Sequence, residues 1–152
     1  ALTRDIQQQM LNIPNVGLAC AIDIGEAANI HPANKQDVGK RLALEAERIA
    51  YGKDIVSRGP LFVSATPEGD AMRVNFQYAD GLKTSDGKAP GAFAVAGADN
   101  GDTVVVSSPK VPNPKYVRYG YAGYRGDCNL QNGAGLPAYP FRSDAYDYSN
   151  VK

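Results

Sequence analysis

The chain has 152 residues, 43% of them hydrophobic, and its 16 Lys plus Arg balance 16 Asp plus Glu. That length supports one modest core or two small ones. With no net charge and no basic run, the electrostatic footprint of a nucleic-acid partner is missing, and no stretch reaches the roughly 18 to 20 apolar residues of a membrane span.

The opening residue is alanine and the first stretch reads as the middle of a helix, which fits a truncated or processed chain. Leu2, Ile6 and Met10 recur every fourth place and mark one helical face. Asn12, Pro14 and Asn15 end that helix. Residues 16–22 then run Val-Gly-Leu-Ala-Cys-Ala-Ile, an unbroken apolar stretch of the kind found in parallel strands covered on both faces. Cys20 lies within it as a small buried hydrophobe, and with Cys128 it makes too few cysteines for a disulfide framework.

The loop 23–33 follows the C-terminal end of this predicted strand, where open α/β sheets place their ligand crevices. It carries His31, the only histidine. Histidine ordinarily titrates near neutrality, so His31 is suited to accept and return a proton. A lone loop histidine is more often a surface residue than a base, so the residues around it have to decide. Asn34 caps the next helix, with Asp37 at its third position. Val38, Leu42, Ala46 and Ile49 follow at helical spacing, which sets Arg41, Glu45 and Arg48 toward water, and Gly52 closes the helix near Tyr51.

Beyond Gly59-Pro60 the period falls from about four to two, so a boundary is placed at residues 53–59. Residues 61–66 read as a strand and 67–70 as a turn, while Met72, Val74, Phe76 and Tyr78 alternate with Arg73, Asn75 and Gln77. This is a hairpin. Short strands are predicted at 93–96, 103–107 and 116–122, and together they suggest a small antiparallel sandwich. The predicted fold class is α+β: residues 1–53 form a strand-helix unit, 60–143 a β-sandwich and 144–152 a tail. Tyr119 and Tyr121 fall on one strand face, where aromatic rings could stack on sugars, although tyrosine is also simply at home in strands. Arg142 is expected in a salt bridge to the first unit, or against a carboxylate such as that of sialic acid.

The segment 22–44, with Asp23-Ile24-Gly25-Glu26, Ile30-His31-Pro32, Asn34-Lys35-Gln36-Asp37-Val38-Gly39 and Arg41-Leu42-Ala43, resembles the histidine block of sialate O-acetylesterases, which are GDSL/SGNH hydrolases. Gly59-Pro60-Leu61, Ala96-Gly97-Ala98-Asp99, Gly101-Asp102-Thr103-Val104, Val117-Arg118-Tyr119, Cys128-Asn129-Leu130 and Gly135-Leu136-Pro137-Ala138-Tyr139-Pro140 resemble the β-domain of the same family, in the same order. The resemblance covers nearly the whole chain. It implies the last strand-helix unit of an SGNH-type domain followed by the sandwich, and a serine esterase acting on O-acetyl groups of sialic acids or related sugars, with no cofactor or metal. The family is commonly exported, so a periplasmic, secreted or lysosomal parent is expected.

Two departures matter. The family's nucleophilic serine stands in a Gly-x-Ser block far upstream of the histidine, and here every serine follows His31. Between the counterparts of Asp99 and Gly101, where members carry a further strand and turn, only Asn100 intervenes. The resemblance assigns His31 as the base. The wider superfamily's Asp-x-x-His pattern would put the orienting acid at Ala28, which cannot serve, and the acid many members carry two residues before the histidine is replaced by Asn29. Asn29 as an orienting amide, or Glu26 or Asp23 as a substitute acid, are the alternatives, with Asp23 also expected to tie down the loop.

Three functions follow. The chain is the C-terminal part of an esterase whose serine-bearing N-terminal half lies elsewhere, with an acetylated sugar as substrate; or a non-catalytic β-module that binds carbohydrate or supports another domain; or one chain of a two-chain enzyme.

Overall fold

A computed structural model describes residues 2–93, 97–98, 101–124 and 126–145. Helix α1 (Leu2–Gln9) tightens into a 3-10 turn (Met10–Asn12), and α2 runs Lys35–Ile49. The strands are β1 (Leu61–Glu68), β2 (Ala71–Gln77), β3 (Lys83–Thr84), β4 (Gly97–Ala98), β5 (Thr103–Ser107), β6 (Arg118–Tyr119), β7 (Leu130–Gln131) and β8 (Phe141–Arg142). The described chain is therefore α+β.

One antiparallel sheet has the order β1-β2-β5-β4, and two smaller ladders pair β3 with β7 and β6 with β8. Strand β2 is central, and its alternation is the one expected: Met72, Val74 and Phe76 are buried, while Arg73, Asn75 and Gln77 take the other face. The hairpin turn is shorter than predicted. Gly69 and Asp70 alone join the strands, and Pro67 pairs with Met72 inside β1. Proline is tolerated there because β1 is an edge strand and its outer N–H positions need no ladder partner.

Of the strand predicted at 93–96, Phe93 bridges to Tyr119 and the other three residues lie outside the described ones. The strand predicted at 116–122 shrinks to Arg118–Tyr119. Residues 99–100 at the shortened connection also lie outside the described residues, yet β4 pairs with β5 through Gly97 and Val105 and through Ala98 and Val104. Of the predicted tail, Asp144 is tied to Arg118 and Arg142, and residues 146–152 lie outside the described residues.

Phe141 sits at the middle of the core, stacked on Phe62 at 4.4 Å between centroids and edge-on to Phe76 at 5.6 Å and Phe93 at 6.1 Å. Val74, Val104, Tyr119 and Leu130 complete it. Cys20 and Ile22 belong to this same core, so the apolar stretch 16–22 packs on the β-rich part of the chain. Burial pushes the Cys20 thiol up to about 12, which keeps it protonated and inert, as a small hydrophobe should be.

The stretch 16–22 is not a strand among the described residues. Its carbonyls are met by side chains instead: the Tyr139 hydroxyl donates to Leu18, and Arg41 Nη1 donates to Cys20 at 2.6 Å. An apolar run specifies burial, but a ladder needs a neighbouring strand, and none is offered there. Gly17 shows how tightly α2 lies against it. A methyl group at Gly17 would stand 2.7 Å from Glu45 Oε2 and 2.8 Å from Glu45 Cβ, so a larger residue would push the helix away.

Each helix leaves part of its predicted apolar face exposed. Ile6 of α1 and Met10 of the following 3-10 turn are exposed, and so are Leu42 and Ala46 of α2, whereas Leu2, Val38 and Ile49 are half-buried. Several of the inward residues are polar. Arg4 donates to the carbonyls of Ala122 and Gly123, and Gln8 to that of Pro140. Glu45, expected in water, is only 3% exposed. It accepts from Arg58 Nε at 2.9 Å and Nη2 at 2.7 Å, from Arg48 Nη2 at 2.9 Å and from the Ser57 hydroxyl at 2.9 Å. Arg41, also assigned to water, forks onto Asp23. A helix face turned toward a surface rich in donors buries its polar side when those donors neutralise it.

Candidate active site

The loop 23–33 is braced at its base and across its middle. At the base, Arg41 of α2 grips Asp23 with two parallel bonds of 2.7 Å each while also bonding the Cys20 carbonyl. Such a bidentate fork fixes direction as well as distance. Asp23 thus ties the loop to the helix, as expected for one of its two proposed parts.

Across the middle, Glu26 spans the turn that carries His31. Its Oε1 accepts from the Ala33 backbone N–H at 2.6 Å, and its Oε2 accepts from Asn29 Nδ2 at 3.1 Å. The Ala33 N–H and the Asn29 amide hold its carboxyl below the usual glutamate value. Asn29 in turn accepts the His31 backbone N–H on Oδ1 at 2.9 Å. The chain Ala33, Glu26, Asn29, His31 closes on itself and fixes the backbone on both sides of the histidine.

The loop delivers His31 to the surface just before α2, whose start is capped as read: the Asn34 side chain accepts from the Asp37 N–H at 3.1 Å. Among the described residues the imidazole makes no hydrogen bond or ion pair. Glu26, Asn29 and Asp23 are all brought to its loop, and their contacts there are with backbone, with one another and with Arg41. Ser57, Ser64, Ser108 and Ser143 are engaged elsewhere, with Glu45, Asn75, Lys110 and Val117. Ser149 lies outside the described residues. The arrangement is an accessible imidazole on a loop tied by its own hydrogen bonds.

Two sequence readings are corrected at the far side of the molecule. Tyr119 is fully buried, so it does not share an open face with Tyr121, whose ring lies 5.7 Å from the Arg118 guanidinium and 5.0 Å from that of Arg142. Among the described residues Arg142 pairs with Asp144 beside it and not with the first unit. Alternation along a strand holds only where a ladder continues, and β6 stops after two residues.

No protein-family model matches the chain, and no curated protein sequence matches it. Among solved structures, a carbohydrate acetylesterase from Xanthomonas citri superposes with a TM-score of 0.86 at 39% sequence identity, over 93% of this chain. The fold is esterase-like. The match spans 35% of that enzyme's own length, about a third. Sequence reasoning missed two further groups at this loop. Arg41 stood in a recognised motif but was assigned to solvent; Tyr124 lies against Gly25, a contact with no local signal because the two residues are far apart in the chain.

Proposed function

We propose that this chain is the base-bearing part of a sialate O-acetylesterase-like serine esterase, an SGNH hydrolase that removes O-acetyl groups from sugars. The observation that carries the reading is the likeness to a carbohydrate acetylesterase along nearly the whole chain, with the single histidine on a braced, accessible loop. In this reading His31 takes the proton from a serine as its oxygen attacks the acetyl carbonyl. The proton then passes to the sugar hydroxyl as it leaves. His31 next draws a proton from water as it attacks the acetyl-serine, and returns that proton to the serine oxygen as the acyl C–O bond breaks and acetic acid, ionised to acetate, is released. The serine comes from a segment outside these 152 residues, in the same protein or a separate chain. That segment would cover the outward apolar faces of α1 and α2 and pair with the ladder-free stretch 16–22. The proposed location of the assembled enzyme is periplasmic or secreted.

The test is hydrolysis of acetylated sugars by the protein carrying both the serine-bearing segment and this chain. His31→Ala should reduce turnover by several orders of magnitude, and the 152-residue chain by itself should give none. Wild-type turnover in His31→Ala would remove the imidazole from the reaction.

A further inference from the structure

We infer that Tyr124 is a sugar-contacting residue of this site, an aromatic platform brought from the β-rich part of the chain to the loop that carries His31. The inference rests on the esterase reading above and adds to it the group that holds the saccharide. Tyr124 is 50% exposed, and among the described residues its hydroxyl has no hydrogen-bond partner. Two glycines frame it. A methyl group on Gly25 would stand 3.5 Å from Tyr124 Cε2 and 3.6 Å from Cδ2; one on Gly126 would stand 3.2 Å from the hydroxyl oxygen and 3.3 Å from Cε1.

The backbone on either side of the contact is tied down. Gly25 lies between Asp23, gripped by Arg41, and Glu26, which spans the His31 turn. Arg4 of α1 holds the carbonyls of Ala122 and Gly123, 3.3 Å away in each case, just before Tyr124. The ring therefore meets, at Gly25, the same loop that carries His31. A tyrosine ring offers an apolar face to the C–H face of a pyranose and a hydroxyl to its polar edge, with only two side-chain torsions to order. The other late tyrosines are differently used: Tyr119 and Tyr139 are buried, and Tyr121 faces two guanidinium groups.

Tyr124 thus contacts the sugar and not the acetyl group, which separates its effect from that of the base. In the protein that carries the serine-bearing segment, Tyr124→Ala and Tyr124→Phe are compared with wild type on acetylated xylo-oligosaccharides and on 4-nitrophenyl acetate. Tyr124→Ala should raise KM for the oligosaccharides about tenfold, while kcat/KM for the aryl ester, which has no sugar, stays within about twofold. Tyr124→Phe should keep most of the oligosaccharide affinity. Equal losses on both substrates would reduce the ring to a structural part, and unchanged kinetics on both would remove it from the site. His31→Ala is run alongside: if it retains wild-type rates the base assignment fails, whereas the substrate-selective effect of Tyr124→Ala is read independently of it.

Discussion

Glu45 lies in the interior against two arginines, and the balance of effects on it can be worked out. Burial acts to raise its pKa, but bonds from Arg58, Arg48 and Ser57 outweigh burial and hold it below the ordinary 4.5. The unfolded chain therefore takes up the proton first as pH falls. The network contributes its full stability above about pH 4.5 and loses it as pH drops through the lower folded value. Glu45→Ala leaves the Arg58 charge buried and unpaired, which costs about 3 kcal/mol at pH 7. Urea midpoints at pH 7 and pH 4 check both: the variant should be much weaker at pH 7, and its own loss on acidification should be smaller. Asn132 is comparable among neutral residues. Buried, it donates to the carbonyls of Arg58 and Tyr78 and accepts the Leu136 N–H, so one amide joins three chain segments. Neither residue could be singled out in the sequence, since the partners that make burial tolerable come from distant positions.

At the scale of elements, α2 is the piece that local chemistry specifies best. Its start was legible from Asn34 and Asp37, and its end from Gly52, whose left-handed backbone lets the Lys53 N–H reach the Glu47 carbonyl. Asn34→Ala should cost about 1 kcal/mol, read as a shift in the thermal midpoint, and should loosen the His31 turn that ends one residue before the cap. Amide exchange at Asp37 and Ala33 reports the two effects separately. The hairpin β1–β2 was equally legible through its alternation. The short ladders β3–β7 and β6–β8 were not, because two residues carry no period. Residues 16–22 illustrate the opposite failure: their composition is that of a covered strand, but pairing depends on a neighbour that composition does not describe.

The molecule as a whole turns several polar side chains of the helices inward, Arg4, Gln8, Arg41 and Glu45 among them, and leaves apolar ones outward. Ile30 is 91% exposed at the tip of the His31 loop, and Leu42 is 51% exposed on α2. Faces of this kind suit a covering segment, the role given above to the serine-bearing part. Leu42→Lys should leave the thermal midpoint of the 152-residue chain nearly unchanged, since the residue is already half exposed and a lysine can keep its head in water. In the protein that also carries the serine-bearing segment the same change should reduce stability and turnover. A large loss in the short chain itself would show that Leu42 already has its partner there.

The sequence by itself determined the two helices, the cap of the second, the central hairpin and the loop that carries His31, because capping, turn chemistry and period act between near neighbours. It also supplied the resemblance to acetylesterases. Only the tertiary structure decided which side of each helix is covered, since periodicity defines two faces without naming the partner of either. It likewise decided that Glu45 is buried, that Arg41 grips Asp23 and that Tyr124 meets Gly25. Each of those contacts joins groups far apart in the chain, and its energy exists only once the fold has brought them within a few ångströms.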